Sequence, residues 1–283
     1  MIAITAATGQ LGQLVIEQLL TKVPAHHIVA VVRNPAKAAA LAARGLTIRA
    51  ADYEEPAALA RAFAGVEKVL LISGVDFGRR AAQHTNVIDA ARLAGVQLVV
   101  YTSLLRADSS MLNLAPEHAE TERTLKASGV PFVILRNGWY HENYTASIPS
   151  ALAHGAFVGS AGDGRIASAA RADYAAAAVA ALTGRAETGH TYELAGDSAY
   201  TLTELSAELS RQSGKTIPYV NLPEAEYAGI LLKAGLPPPL AHGLASWDVG
   251  ASQGALFDEG HQLSRLIGRA TTPLADAIRT AIA

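Results

Sequence analysis

Behind the apolar residues Ile2-Ala3-Ile4-Thr5 the chain runs Ala6-Ala7-Thr8-Gly9-Gln10-Leu11-Gly12, a stretch of mostly small side chains. Leu11, Leu14, Val15, Leu19 and Leu20 then recur at helical spacing. A strand, a small-residue turn and a helix start, in that order, make a cradle for a pyrophosphate. The first helical amides have no partners, the helix dipole is positive there, and small residues let phosphate oxygens reach the backbone. The spacing is that of Gly-x-x-Gly-x-x-Gly with Ala6 in the first place and Gly9 and Gly12 in the others.

A second group lies at the end of the next apolar run, Arg33-Asn34-Pro35-Ala36-Lys37. A site for NAD commonly puts a carboxylate here, against the ribose 2′-hydroxyl. None is present. Arg33 can instead grip a 2′-phosphate bidentately and stack beneath adenine, and Lys37 adds charge one turn on, which favours NADP. The plainer alternative is a solvated basic helix start. Ser73-Gly74-Val75 follows a later apolar run, and its small residues suit a backbone passing the adenine ribose and pyrophosphate, although an ordinary turn has the same composition. Thr102-Ser103 ends another run, beside the place a nicotinamide would take.

Positioning these groups requires a regular beat of strands and helices. Strands are predicted at Ile2–Thr5, Ile28–Val32, Leu46–Ala50, Lys68–Ile72, Gln97–Tyr101 and Phe132–Leu135, with helices at Pro35–Arg44, Pro56–Ala64, Arg80–Leu93 and Glu117–Ser128 between them. The alternation predicts an α/β fold with a doubly wound parallel sheet. After Arg136 the rhythm breaks. Short strands are expected near Phe157-Val158, Ile166-Ala167 and Thr191–Leu194. Helices are expected near Asp173 and Thr201, where Thr201 and Glu204 suit a capping box. Pro237-Pro238-Pro239 should break the chain before two short helices. Residues 1–136 thus read as a dinucleotide-binding domain, and 137–283 as a smaller substrate lobe that partly returns to the sheet.

Half of the 283 residues are hydrophobic and 17% are charged, which argues against a disordered or nucleic-acid-coating chain. A formal charge of −2 leaves no basic footprint for DNA or RNA. The absence of cysteine removes disulfides and thiolate metal ligands and fits a reducing compartment. No His/Asp/Glu spacing of the metal-site kind appears, so no metal is expected. The start of the chain lacks the pattern of a signal peptide, and no apolar run approaches the ~18 residues of a membrane span. A cytoplasmic protein without nucleic-acid or membrane partners is expected; a homodimer is left open.

At these motifs the chain resembles the NmrA-like atypical short-chain dehydrogenases, and within them the bacterial type-two NADPH:quinone oxidoreductases, with triphenylmethane dye reductases next. The likeness rests on Thr8–Gly12, Val32–Lys37, Tyr101–Leu104 and above all Leu135-Arg136-Asn137-Gly138-Trp139-Tyr140. It continues through Glu142–Tyr144, Arg171–Tyr174 and Tyr192–Asp197, and so covers nearly the whole chain. Ala6 is its clearest departure. The resemblance implies that Asn137, Gly138, Trp139 and Tyr140 wrap the nicotinamide end of the cofactor, that Arg171 belongs to the cofactor site, and that Ser103, His118, Tyr140 and Asn143 frame the substrate pocket. It also implies hydride transfer from NADPH to a quinone or similar flat electrophile. Read without it, Trp139 and Tyr140 would pass for core aromatics.

The proton-relay pair of ordinary short-chain dehydrogenases, Tyr-x-x-x-Lys, is missing. In its register stand His118 and Glu122. Alcohol–ketone chemistry is therefore disfavoured, because a carbonyl needs that acid. A quinone gives a stabilised phenolate that water can protonate, so positioning matters more. His118 remains a conceivable donor, but it reads better as an exposed helix histidine, and His26-His27 read as a surface pair. The same absence also suits two other functions, a dinucleotide-binding redox sensor without turnover and a reductase of triphenylmethane dyes.

Overall fold

The computed structural model describes residues 1–283. Its strands are β1 (Ile2–Ile4), β2 (Ile28–Val32), β3 (Thr47–Ala50), β4 (Lys68–Leu71), β5 (Leu98–Leu104), β6 (Phe132–Asn137), β7 (Phe157–Gly159), β8 (Thr191–Leu194) and β9 (Tyr219–Asn221). Its helices are α1 (Gln10–Leu19), α2 (Ala39–Ala43), α3 (Pro56–Ala62), α4 (Arg80–Leu93), α5 (Ala115–Ala127), α6 (His141–Thr145) and α7 (Ile148–His154). They continue as α8 (Arg171–Leu182), α9 (Leu202–Ser213), α10 (Glu224–Lys233), α11 (Pro238–Ser252), α12 (Gln262–Ile267) and α13 (Leu274–Ile282). Seven strands form one sheet in the order β3-β2-β1-β4-β5-β6-β8, every neighbouring pair parallel. This is the doubly wound α/β fold expected from the alternation. No helix is long and apolar enough to cross a membrane.

The inner strands are apolar throughout because both faces of the sheet are covered. Successive residues alternate between two cores. Ile4, Ala30, Leu70, Val100 and Leu135 face a core closed by Val15 and Leu19 of α1, Ala177 and Ala181 of α8, and Leu263 of α12. Ala3, Val29, Val69, Val99, Tyr101 and Ile134 face another, closed by Leu59, Val87, Ile88 and Leu125. Each large aliphatic side chain withdrawn this way contributes about 1.5–3 kcal/mol. A third core belongs to the later part of the chain and is built on Trp139, Tyr144, Leu202, Leu205 and Trp247.

Several elements differ from expectation. β5 and β6 run on to Leu104 and Asn137, with Ser103 opposite Arg136, because their polar ends find partners and the ladder need not stop. Ile166 makes only an isolated antiparallel bridge to Tyr200, and β9, paired with β7, was not expected. The two short helices expected after the proline run are present, but a long one comes before them. Pro238 and Pro239 occupy the first turn of the 15-residue α11, with α12 and α13 after it. First-turn amides lack intrahelical acceptors, so proline sacrifices nothing there. At the start of α9 the Thr201–Glu204 capping box is formed from both sides.

Candidate active site

The turn after β1 is locked by its backbone. Ala6 takes the left-handed conformation, with φ +46, that glycine adopts more readily. Gly9 donates its amide to the Ala6 carbonyl at 2.9 Å. Gly12 passes so close that a Cβ there would stand 2.5 Å from the Ala6 oxygen and 3.0 Å from Ala7 Cα. The start of α1 is thereby pressed onto the carboxyl edge of the sheet. Its N-cap, Gly9, offers no side-chain cap, so the first amides keep their hydrogen-bonding capacity for a ligand. Leu11 is buried and anchors the helix.

Above this turn lies a cavity of about 710 Å³ lined by Ala6, Thr8, Gly9, Arg33, Lys37, Ser73, Gly74 and Val75. Asp52, Tyr53, Asp76 and Gln83 line it too. The sequence reading missed these, although Asp52 and Tyr53 follow β3 at the same sheet edge and the strand-end logic used for Arg33 would have found them. Arg33 and Lys37 are exposed, and no side-chain hydrogen bond or ion pair engages either one. Asn34 caps the turn between them, accepting from the Ala36 amide at 3.0 Å.

The Ser73–Gly74 segment is held from behind. Gly74 donates its amide to Nε2 of His84 at 3.0 Å, and its carbonyl accepts from Arg80 Nε at 2.8 Å. His84 must therefore be neutral at Nε2. Burial enforces this by pushing its pKa down to about 3, with the Arg80 charge acting in the same sense. Ser73 donates its amide to Thr102 Oγ1 at 2.9 Å.

A second cavity of about 660 Å³ begins at Gln10 and is walled by Trp139, Glu142, Asn143, Arg171, Leu240 and Trp247. The two tryptophans pack edge to face, their ring centres 5.6 Å apart, and Trp247 donates its indole N–H to Asn113 at 2.8 Å. Arg171 stacks over the half-buried Tyr140 ring at 4.8 Å. Beside them Asn137 is buried, and its Oδ1 has no hydrogen-bond partner. Behind the wall, Asp248 accepts from the Tyr144 hydroxyl at 3.2 Å and the Ser160 amide at 2.9 Å. Burial pushes its carboxyl pKa up to about 6.

Ser103 and His118 line neither cavity, nor do Asn137, Gly138 and Tyr140. Ser103 donates to Glu122 Oε1 at 2.6 Å, and Arg136 clasps the same carboxylate at 2.8 and 2.7 Å. His118, expected on an exposed helix face, is buried, with Nδ1 2.7 Å from the Tyr101 hydroxyl. Desolvation holds its pKa well below the ordinary value. The inner face of α5 is polar because the strand beneath it presents polar groups. Gly138 is also a packing residue, since a Cβ there would meet the Leu194 carbonyl at 2.9 Å.

Uncapped amides on α1, two unpaired cations at the end of β2 and an orphaned buried acceptor at Asn137 together fit a dinucleotide carrying an extra phosphate. A family model described as NAD(P)H-binding matches residues 6–185. The quinone oxidoreductase 2 of Escherichia coli is 60% identical over 278 residues, 98% of this chain and 97% of that protein. The E. coli NADPH-dependent quinone oxidoreductase complexed with NADPH superposes with a TM-score of 0.97 at 59% identity, covering 100% of both chains. The Citrobacter triphenylmethane reductase complexed with NADP(H) gives 0.95 at 38% identity, covering 99% of this chain and 100% of that one.

Proposed function

The chain belongs to the NAD(P)H-binding family, and from that footing we propose that it is an oxidoreductase carrying hydride from NADPH to a quinone or similar flat electrophile. One observation carries the reading. Gly9 lines the first cavity and its neighbour Gln10 lines the second, so a hollow suited to a dinucleotide and an aromatic-walled space lie on either side of the start of α1.

Thr8 to Gly12 offer the pyrophosphate small side chains and free amides. Arg33 and Lys37 hold the 2′-phosphate, which a carboxylate at that place would repel. Ser73, Gly74 and Val75 form the opposite wall. Bound NADPH supplies the hydride. Trp139 with Trp247 confines a flat acceptor.

The proton requirement also favours a quinone. The Ser103 proton is committed to Glu122, and His118 is buried away from both cavities. A ketone reduction would lack its acid, whereas a hydroquinone anion takes its proton from water. The test is steady-state NADPH oxidation with benzoquinone and naphthoquinone acceptors. Acceptor-dependent turnover that falls steeply when NADH replaces NADPH is expected. A folded, NADPH-bound protein that reduces no quinone would overturn the reading.

A further inference from the structure

Resting on that reading, we propose that Arg171 is a catalytic residue whose guanidinium binds a carbonyl oxygen of the quinone and stabilises the negative charge that hydride transfer places there. Arg171 is the one cation lining the second cavity, and it lines none of the first. Its side chain is only 16% exposed, and its guanidinium makes no hydrogen bond within the protein. A guanidinium carries five N–H donors, and no protein acceptor takes any of them here.

The neighbouring carboxylate does not satisfy it. Both oxygens of Glu142 accept from the Arg171 backbone amide, at 3.0 Å each, and so cap the start of α8. The nearest guanidinium nitrogen is 4.0 Å away, beyond a hydrogen bond. Glu142 thus keeps the local charge balanced while leaving the donors free. Tyr140 fixes the other degree of freedom. Stacking on its ring holds the guanidinium by its flat face, and the N–H groups then project from the edge. The edge so presented suits an oxygen acceptor.

The reaction supplies one. Quinone gains a hydride, one hydrogen with two electrons, from the reduced nicotinamide, which leaves as its oxidised cation. The product is a monoanionic hydroquinone with charge on oxygen. Solvent protonates that oxygen, and Arg171 keeps its own proton throughout. A fixed cation at this oxygen interacts more strongly after transfer than before, which is the condition for accelerating the step. The family resemblance places Arg171 in the cofactor site, where it would serve a phosphate oxygen of the dinucleotide, and Gln10 of the phosphate turn lines the same cavity; the proposal departs from that placement, and the experiment separates the two roles.

Arg171→Gln and Arg171→Lys are compared with the wild type at saturating NADPH. Removing one such donor group lowers kcat by roughly 100-fold; Lys should restore part of the loss, because it returns charge without the planar fork. The deficit should be greatest with electron-rich quinones, whose product anions most need stabilising. NADPH affinity, read by quenching of protein fluorescence, should stay within about twofold. A readout without turnover uses 4-nitrophenol, titrated spectroscopically with the NADP⁺-bound protein. The wild type should ionise the bound phenol at lower pH than Arg171→Gln does. If Arg171→Gln instead weakens NADPH while kcat at saturation and the nitrophenol titration are unchanged, Arg171 serves a cofactor phosphate and the proposal falls. If the wild type reduces no quinone yet still lowers the nitrophenol pKa through Arg171, the oxyanion site stands and only the quinone reading fails.

Discussion

The first cavity runs along strand ends, beside a backbone that is pinned at Gly74 through both its amide and its carbonyl and crowded to contact at Gly12. The second is walled by side chains from α6, α8 and α11, which reach it from separate parts of the chain. A coenzyme of constant shape suits a mould of fixed backbone. An acceptor chosen by flatness and electron demand suits replaceable side chains. Substitutions in the first region should therefore register as lost stability and coenzyme binding, and substitutions in the second as altered acceptor kinetics.

The largest expected effect tests the first half of that contrast. Gly12→Ala forces a methyl group against backbone atoms that cannot yield, and should cost about 3 kcal/mol in chemical denaturation. Weakened NADPH binding should accompany it. If stability were unchanged, the turn would not be rigid.

Asp248 tests the other half, through pH. Its folded pKa of about 6 stands above the ordinary 3.8. The folded state therefore binds more protons between those values, and stability should fall by roughly 2 kcal/mol as pH rises from 4 to above 6. Thermal melts of Asp248→Asn should lack that slope. Because Asp248 holds Tyr144, next to Asn143 in the second cavity, the variant should raise the quinone KM and leave NADPH affinity alone.

Arg33→Ala should weaken NADPH by about 1.5 kcal/mol, roughly tenfold in Kd, with NADH unaffected in calorimetry. Equal losses for both coenzymes would remove Arg33 from phosphate recognition. The smallest effect is a gain. Ala6 sits at positive φ, which alanine resists and glycine accepts, so Ala6→Gly should stabilise the protein by about 0.5 kcal/mol.

The same contrast explains what could be read in advance. The doubly wound sheet was legible because apolar runs such as Ile28–Val32 report burial on both faces, and the small-residue turn lies wholly within Ala6–Gly12. Arg33, Lys37 and Gly74 line the first cavity, where local order along one sheet edge is enough to place a residue. The second cavity joins Gln10, Trp139, Arg171 and Trp247, whose meeting depends on packing that no short spacing records. His118 was misread for a related reason. A helix is expected to bury apolar residues, yet α5 buries His118, Thr121 and Glu122 against polar groups of β5 and β6. The length of α11 was hidden by prolines that ordinarily signal a stop.

The clasp of Ser103, Glu122 and Arg136 bears on how this scaffold could be redesigned. Installing tyrosine and lysine at positions 118 and 122 would not by itself create an alcohol dehydrogenase. The lysine would displace one of the three carboxylates that pair with Arg136, the one buried with it, and the tyrosine would replace the partner of the Tyr101 hydroxyl. Here the catalytic address of a neighbouring enzyme class has become foundation masonry, and new chemistry is more safely grafted from the side of the second cavity.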